Sequence, residues 1–356
     1  YFITMDLVGG VISHGPSKST IRLKDGMEVD LRVFKNEEYG SALVYFTGSW
    51  ELNVELRKIA ISLGLKLNEY GVFRDENQVA GKTEKEVFQA LGLSYIQPEL
   101  RENRGEIQAA LAGNLPQLVE KTDIRGDLHL HTRWSDGRSS IMEMAQAAQK
   151  RGYEYLAITD HSHGLPVAGG LDEYALKEQM MEIDAVNEEV EIKVLKGVEL
   201  NIGADGSLDI DMDVLEELDI VLAAIHSGVP FKPGTMTDII LDVLENEQVD
   251  ILSHPTGRKL KKRPAYDIDL DKVFETAAET GTILEVDGQP KRLDLNDENI
   301  RMALKYGCRL AADTDAHHTR DLDYMELAVS TARRGWAEAK DVVNTLSLKK
   351  FLKVLK

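Results

Sequence analysis

Cysteine is nearly missing from this sequence. Its 356 residues include one, Cys308, which excludes an internal disulfide framework and fits a reducing cytoplasm. Cys308 follows Gly307 just ahead of an apolar strand pattern and reads as a small buried hydrophobe. Long apolar runs are missing too. None approaches the roughly 20 residues that a membrane helix needs, and no signal-peptide pattern opens the chain, so no membrane partner is expected. Basic residues are in short supply: 42 Lys and Arg against 61 Asp and Glu leave a formal charge of −19. Broad non-specific binding to nucleic acid runs on phosphate neutralisation and is thereby disfavoured. Local basic patches and metal ions remain compatible with it, and part of the acidity can serve cations. The first residue is Tyr1 rather than Met and falls in mid-pattern, so a fragment or an N-terminally trimmed chain is expected.

What is there divides by rhythm. Residues 1 to about 50 read as strands and turns. Thr20-Ile21-Arg22-Leu23 and Glu28-Val29-Asp30-Leu31-Arg32-Val33 alternate around a Lys24-Asp25-Gly26 turn, a hairpin signal. The apolar run Ala42-Leu43-Val44-Tyr45-Phe46 continues this stretch. From Glu51 to Ser62 the spacing turns helical, with Gly64 suited to end it. Thr83-Glu84-Lys85-Glu86 opens a short helix as a capping box. Pro98, Gly105, Gly113 and Pro116 punctuate a linker with one helix. The expected division is 1–48, 49–94, 95–122 as the linker, and 123–356.

From Asp123 onward strand and helix patterns alternate. Seven apolar, β-branched-rich strands are expected near 126–131, 154–159, 192–199, 218–225, 249–253, 281–287 and 309–314, with helical segments between most of them. Alternating β and α implies a parallel sheet. Seven units imply an α/β barrel one unit short of the common eight, preceded by a small α+β segment.

The ends of these strands carry the chemistry. Strand one holds His129 and His131, i and i+2 on one strand face, where both imidazoles can reach one metal ion. Asp136 lies in the next loop. Strand two ends in Asp160-His161, strand three at Glu199, strand four at His226, strand five at His254, and strand seven in Asp313-Thr314-Asp315-Ala316-His317. In a parallel barrel these ends meet on one face, where active sites sit. Six histidines and three carboxylates therefore converge. Imidazole with carboxylate and no thiolate suits Zn²⁺, Mn²⁺ or Fe²⁺. Nine donors are too many for one ion, so two or three are implied, with Glu199 as the natural bridge. Glu199, Asp136 and His161 are expected to take part in catalysis as well. Asp160, Asp313 and Asp287 are expected to orient histidines from behind. His163 and His318 are assigned to the rim and His14 to the plain surface. Arg258-Lys259-Leu260-Lys261-Lys262-Arg263, a basic run directly after His254, is expected to contact a phosphate backbone. Arg133, Lys291 and Arg292 lie on loops of the same face, and Arg292 is suited to clamp a phosphate bidentately.

Two resemblances follow from these motifs. His129-Leu130-His131, Ser135-Asp136-Gly137, Thr159-Asp160-His161, Glu199, His226-Ser227, Ser253-His254-Pro255 and Asp315-Ala316-His317 together resemble the PHP (polymerase and histidinol phosphatase) domain, with all nine metal positions filled. That resemblance implies a distorted (β/α)7 barrel with a trinuclear site. Val29-Asp30-Leu31-Arg32, Tyr45-Phe46-Thr47-Gly48-Ser49 and Asn68-Glu69-Tyr70-Gly71 resemble the end of the palm and the thumb of family X DNA polymerases, the family of DNA polymerase beta. Likeness to the fused polymerase–PHP proteins of bacteria and archaea extends to Glu326-Leu327-Ala328. It implies phosphoester hydrolysis at DNA 3′ ends or in gapped DNA: a 3′→5′ exonuclease, with 3′-phosphatase and abasic-site endonuclease activity as extensions, in DNA repair. A small-molecule phosphatase of histidinol-phosphate type and a non-catalytic DNA-binding module are the rivals. Nothing in the sequence addresses oligomeric state.

By the same resemblance Asp30 is the third palm carboxylate, the other two being expected upstream of Tyr1. One carboxylate cannot hold the two Mg²⁺ ions of nucleotidyl transfer, so Asp30 is a vestigial ligand and Mg²⁺ belongs only to an intact palm. Primer extension with Mg²⁺ and all four deoxynucleotides should leave the primer unextended. Template-directed addition by this chain would show that reading to be wrong.

Overall fold

The computed structural model describes residues 1–226, 232 and 234–356, and Ser227 lies outside them. The backbone separates into two units, Tyr1–Leu115 and Pro116–Lys356, with the division falling inside the stretch read as a linker.

In the first unit β1 (Val8–His14), β2 (Lys18–Leu23) and β3 (Glu28–Arg32) form an antiparallel sheet in that order. The β2–β3 turn is the expected one: Gly26 takes a left-handed φ of 94° and the Asp25 carboxylate accepts from Met27 N at 3.0 Å. The apolar run at 42–46 is not part of this strand region; it lies in α1 (Tyr39–Thr47). A short apolar run fits either period, and packing decides here. Gly40 lets α1 lie against the backbone of Thr83, where an added Cβ would stand 2.2 Å from its carbonyl carbon. α2 (Trp50–Ser62) buries Leu52, Leu56 and Ala60 along one stripe, capped by Ser49 Oγ accepting from Leu52 N. A second antiparallel sheet follows in β4 (Lys66–Asn68), β5 (Gly71–Arg74) and β6 (Asn77–Ala80). Thr83 caps α3 (Glu84–Ala90), and α4 (Glu106–Ala112) ends the unit's regular structure.

The second unit runs β7 (Gly126–Asp127), α5 (Ile141–Lys150), β8 (Tyr155–Ile158), α6 (Glu173–Asn187), β9 (Lys193–Asn201), α7 (Met212–Leu215), β10 (Ile220–Ala224), α8 (Met236–Leu244), β11 (Ile251–Leu252), α9 (Leu270–Thr280), β12 (Ile283–Asp287), α10 (Asp297–Tyr306), β13 (Leu310–Asp313), α11 (Met325–Arg334) and α12 (Leu348–Phe351). The seven strands pair in parallel in strict chain order, β7 to β13, as the alternating pattern requires. Alternate residues divide the strands into two apolar layers. Leu156, Ile158, Val194 and Val198 pack with residues of the helices outside. Tyr155, Ala157, Leu195, Leu222 and Ile251 fill the inside. Phe351 of α12 stacks on Tyr155 at 5.3 Å within this inner cluster.

Closing a barrel of seven strands leaves a seam between the first and the last. β7 is only two residues long, and beyond it the pairing with β13 reduces to one bridge, Leu130 with Ala316. Side chains make up the difference. Asp313 Oδ1 accepts from Leu128 N at 2.9 Å, and Asp127 Oδ2 accepts from Thr314 Oγ1 at 2.6 Å. Asn344, fully buried, donates to Gly126 O, Ala312 O and Asp313 Oδ1 and accepts from Ala312 N at 2.7 Å. Asp313 therefore fastens the seam and touches no imidazole, contrary to expectation. Asn344→Ala leaves several buried backbone groups unpaired and should cost about 3 kcal/mol, read as a lower urea midpoint. A midpoint equal to that of the wild type would remove Asn344 from the closure.

Candidate metal centre

The strand ends place the predicted residues around one carboxylate. Glu199, near the end of β9 and 1% exposed, points both oxygens into the barrel mouth. Its Oε2 lies 2.8 Å from His161 Nδ1, 3.5 Å from His129 Nε2 and 3.6 Å from His131 Nε2. Its Oε1 lies 3.1 Å from His254 Nε2 and 3.4 Å from His226 Nε2. The His129 and His131 Nε2 atoms stand 3.1 Å apart, as two histidines on one strand face allow. Asp315 Oδ1 is 3.2 Å from His131 Nε2. Asp136 Oδ1 is 3.3 Å from His317 Nε2 and 3.7 Å from His161 Nε2. Among the described residues three overlapping groups offer converging ligand atoms: His131, Asp136, His161 and His317; His129, His131 and Glu199; and His161, Glu199 and His226.

This donor set fits divalent cations. His161 Nδ1 and Glu199 Oε2, though 2.8 Å apart, are not aligned for a hydrogen bond, and both ring nitrogens of His226 are buried without a partner. Each such atom costs about 1–3 kcal/mol unless a ligand meets it. Lone pairs gathered at one point are met by a cation. His254 and Asp315 also adopt left-handed backbone, φ 30° and 48°, in residues that disfavour it. The electrostatics agree. Burial, with His161 and His317 nearby, pushes His131 down to about 3; burial and Arg292 push His254 down to about 3. Both imidazoles thus stay neutral, as ligation requires. Burial opposes ionisation of Glu199, yet His226, His129 and His161 hold it well below the usual carboxylate range. Burial likewise opposes protonation of His129, which Glu285 and Glu199 overcome, raising it well above the ordinary value. Asp315 and Asp136 are likewise held low by the histidines beside them, whereas burial pushes Glu285, behind His129, up to about 7.

The basic residues sort differently from the sequence expectation. Lys259, Lys262, Lys291 and Arg292 line the cavity of about 390 Å³ at the metal centre. Arg258 belongs to the structure of the loop: its Nε donates to Arg292 O at 2.9 Å and its Nη2 to Leu293 O. Arg133 does not line the cavity; it pairs with Glu143 at 3.0 Å and donates to Arg138 O. Arg292 Nε lies 3.5 Å from both Asp287 and Asp315, and its Nη1 is buried without a partner. Asp287 therefore meets an arginine rather than a histidine. Asp160 accepts from Thr132, Ser135 and Gln179 and so fixes the loop after β7. His163 is exposed, His318 Nδ1 accepts from Arg320 N, and His14 meets Ser19 Oγ at 2.9 Å. In the first unit Asp30 pairs with Thr20 and Lys18, which hold it below the usual range; it belongs to none of the clusters.

Sequence reading missed one buried acid. Glu285, in the middle of β12, lies 2.6 Å from His129 Nδ1 and accepts from His254 N at 2.5 Å. Its signal was its position. A charge between Leu284 and Val286 in a buried strand shares a face with Asp287, and that face points into the barrel.

A cluster of imidazoles and carboxylates at the C-terminal mouth of a parallel barrel defines a metal-dependent hydrolase. Residues 42–102 match the DNA polymerase beta thumb and residues 127–290 match the PHP domain. A Bacillus subtilis (strain 168) protein named DNA polymerase/3′-5′ exonuclease PolX is 43% identical over 350 residues, 96% of this chain and 60% of that protein. The chain thus spans less than two thirds of that relative. A probable phosphatase of Thermoanaerobacter sp. (strain X514) is 31% identical over 232 residues, 62% of this chain and 89% of the relative. Among solved structures, histidinol phosphate phosphatase from Lactococcus lactis, complexed with Zn, L-histidinol and phosphate, overlaps with a TM-score of 0.44 at 18% identity over 60% of this chain and 95% of that one. The chain belongs to the PHP family, with its barrel following a thumb of the DNA polymerase beta type.

Chelation should lower the melting temperature of the wild type, because ions that bind only the folded chain stabilise it. Glu199→Gln should retain at least one ion fewer per chain by elemental analysis. Full occupancy in that variant would overturn the bridging role of Glu199.

Proposed function

We propose that the barrel hydrolyses phosphodiesters at DNA 3′ ends, as a 3′→5′ exonuclease serving DNA repair in the cytoplasm. One observation carries the reading: the cluster lies at the base of a cavity whose wall bears Lys259, Lys262, Lys291 and Arg292. A chain of −19 has a basic wall at its metal centre, and clustered cations beside phosphate-binding side chains suit a polyanionic ester. The thumb match and the printed name of the Bacillus subtilis relative support DNA over a small phosphomonoester.

His129, His131, Asp136, His161, Glu199, His226, His254, Asp315 and His317 would hold two or three ions of Zn²⁺, Mn²⁺ or Fe²⁺. Such ions, when bound, supply Lewis acidity and lower the pKa of water. The chain's own residues do the rest. Arg292 is anchored by Asp287 and Asp315, which keeps its guanidinium at the cavity wall for a phosphoryl oxygen. Arg258 contributes by fixing the carbonyls of Arg292 and Leu293, which keeps Arg292 in place. Lys259 and Lys291 take the neighbouring backbone phosphates. Asp136, beside His161 and His317 and 38% exposed, stands at the mouth, where the carboxylate oxygen not engaged as a ligand would take a proton from the attacking water. The same site would remove a 3′-phosphate or cut at an abasic site if the end reaches the cavity.

The phosphatase relative favours a second reading, a small phosphomonoester as substrate. The two part in one assay. With Mn²⁺ and 5′-labelled single-stranded or gapped DNA, the wild type should produce a ladder shortening from the 3′ end, and His254→Ala should not. Lys259→Ala with Lys291→Ala should raise KM for DNA about tenfold while leaving turnover of a small phosphomonoester nearly unchanged. Intact DNA beside rapid release of phosphate from small monoesters decides for the second reading.

A further inference from the structure

We infer that Glu285 is a positioning residue that sets two metal ligands at once, one through its side chain and one through its backbone. Glu285 is fully buried in β12, and each of its oxygens is engaged. Oε1 lies 2.6 Å from His129 Nδ1, and Oε2 accepts from the backbone N of His254 at 2.5 Å.

Each contact has a separate consequence. Donation from His129 Nδ1–H to Glu285 fixes the tautomer and ring orientation of His129. Its Nε2 lone pair then points at the centre, 3.1 Å from His131 Nε2 and 3.5 Å from Glu199 Oε2. The second contact holds a strained backbone. His254 has a φ of 30°, which a residue with a Cβ adopts only when its surroundings impose it. The Glu285 carboxylate, by taking the His254 N–H, imposes it, and His254 Nε2 is thereby carried to 3.1 Å from Glu199 Oε1. One carboxylate therefore fixes a ligand on the Oε2 side of Glu199 and another on its Oε1 side. Asp160, Asp313 and Asp287 do not share this arrangement: their hydrogen bonds go to loop, seam and arginine.

The inference rests on the metal reading, and the experiment separates the two. Free Mn²⁺ is followed by its electron paramagnetic resonance signal during titration of the purified full chain. Glu285→Gln keeps the shape but offers one acceptor and one donor. With its oxygen on the His254 N–H, its NH2 faces His129 Nδ1 and favours the tautomer that carries the proton on Nε2, where a metal would bind; turned the other way, its NH2 faces the His254 N–H. Glu285→Gln and Glu285→Ala should weaken Mn²⁺ binding about 10- to 100-fold, and saturating Mn²⁺ should restore most of the hydrolysis. Asp250→Asn is the comparison. Asp250 is a buried acid at the opposite end of β11, accepting from Val221 N and Lys356 N. That variant should melt earlier yet bind Mn²⁺ within about twofold of the wild type. Wild-type affinity in Glu285→Gln overturns the role of Glu285 alone. Equal weakening in Asp250→Asn overturns it too, because general loosening would then explain both. A wild-type chain that binds no Mn²⁺ overturns the metal reading itself.

Discussion

A buried, ionised carboxylate without compensation is among the most costly groups a protein can hold. Glu199 is that group here, and the second unit is arranged to compensate it. Five imidazoles reach its two oxygens, three on one and two on the other. Those imidazoles arrive from four different strand ends, so the barrel must bring all of them to within a few ångströms. A small error in strand register would turn a histidine to the other face and leave Glu199 exposed to repulsion or to nothing. The parallel order and the short, polar closure at β7 and β13 are the geometric conditions for that convergence.

The closure itself depends on polar side chains because regular pairing stops early there. Asp127, Asp313 and Asn344 replace ladder hydrogen bonds with side-chain ones, all fully buried. Burial raises Asp127 well above the usual carboxylate range, with the charge of Asp313 adding to it, and burial pushes Asp313 to about 6. Such a seam is less uniform than a ladder, and it lies directly below His129 and His131. The backbone of both histidines joins it, His131 N donating to Ala316 O at 2.8 Å and Ala316 N to His129 O at 3.3 Å. Barrel closure and ligand placement are therefore one set of interactions. A change that loosens the seam moves the first two imidazoles with it.

The barrel and its strand order were legible because parallel strands must be buried on both faces and so read as apolar runs. The histidines that meet at the barrel mouth were legible because they stand at strand ends, where a histidine after an apolar run is conspicuous. Glu285 was not, since it lies inside a strand and its partners are 31 and 156 residues away. Arg258 was misread for the opposite reason. A basic run advertises charge, whereas this guanidinium is engaged by backbone carbonyls that no sequence pattern shows. The run at 42–46 was too short for its period to distinguish helix from strand, and the contact of Gly40 with Thr83 that decides it is long-range.

The net charge bears on how a polyanion is handled. Surface charges farther than about 8–10 Å are largely screened at physiological salt. The −19 of the whole chain therefore acts mainly on encounter and weakly on a phosphate already in the mouth. There the near field is set by Lys259, Lys262, Lys291 and Arg292, and by any cation held at the cluster. An acidic exterior with a basic mouth disfavours a polyanion over the outer surface and favours it at the cavity. Cations bound there would also cancel Asp136, Glu199 and Asp315, three carboxylates that would otherwise repel a phosphate.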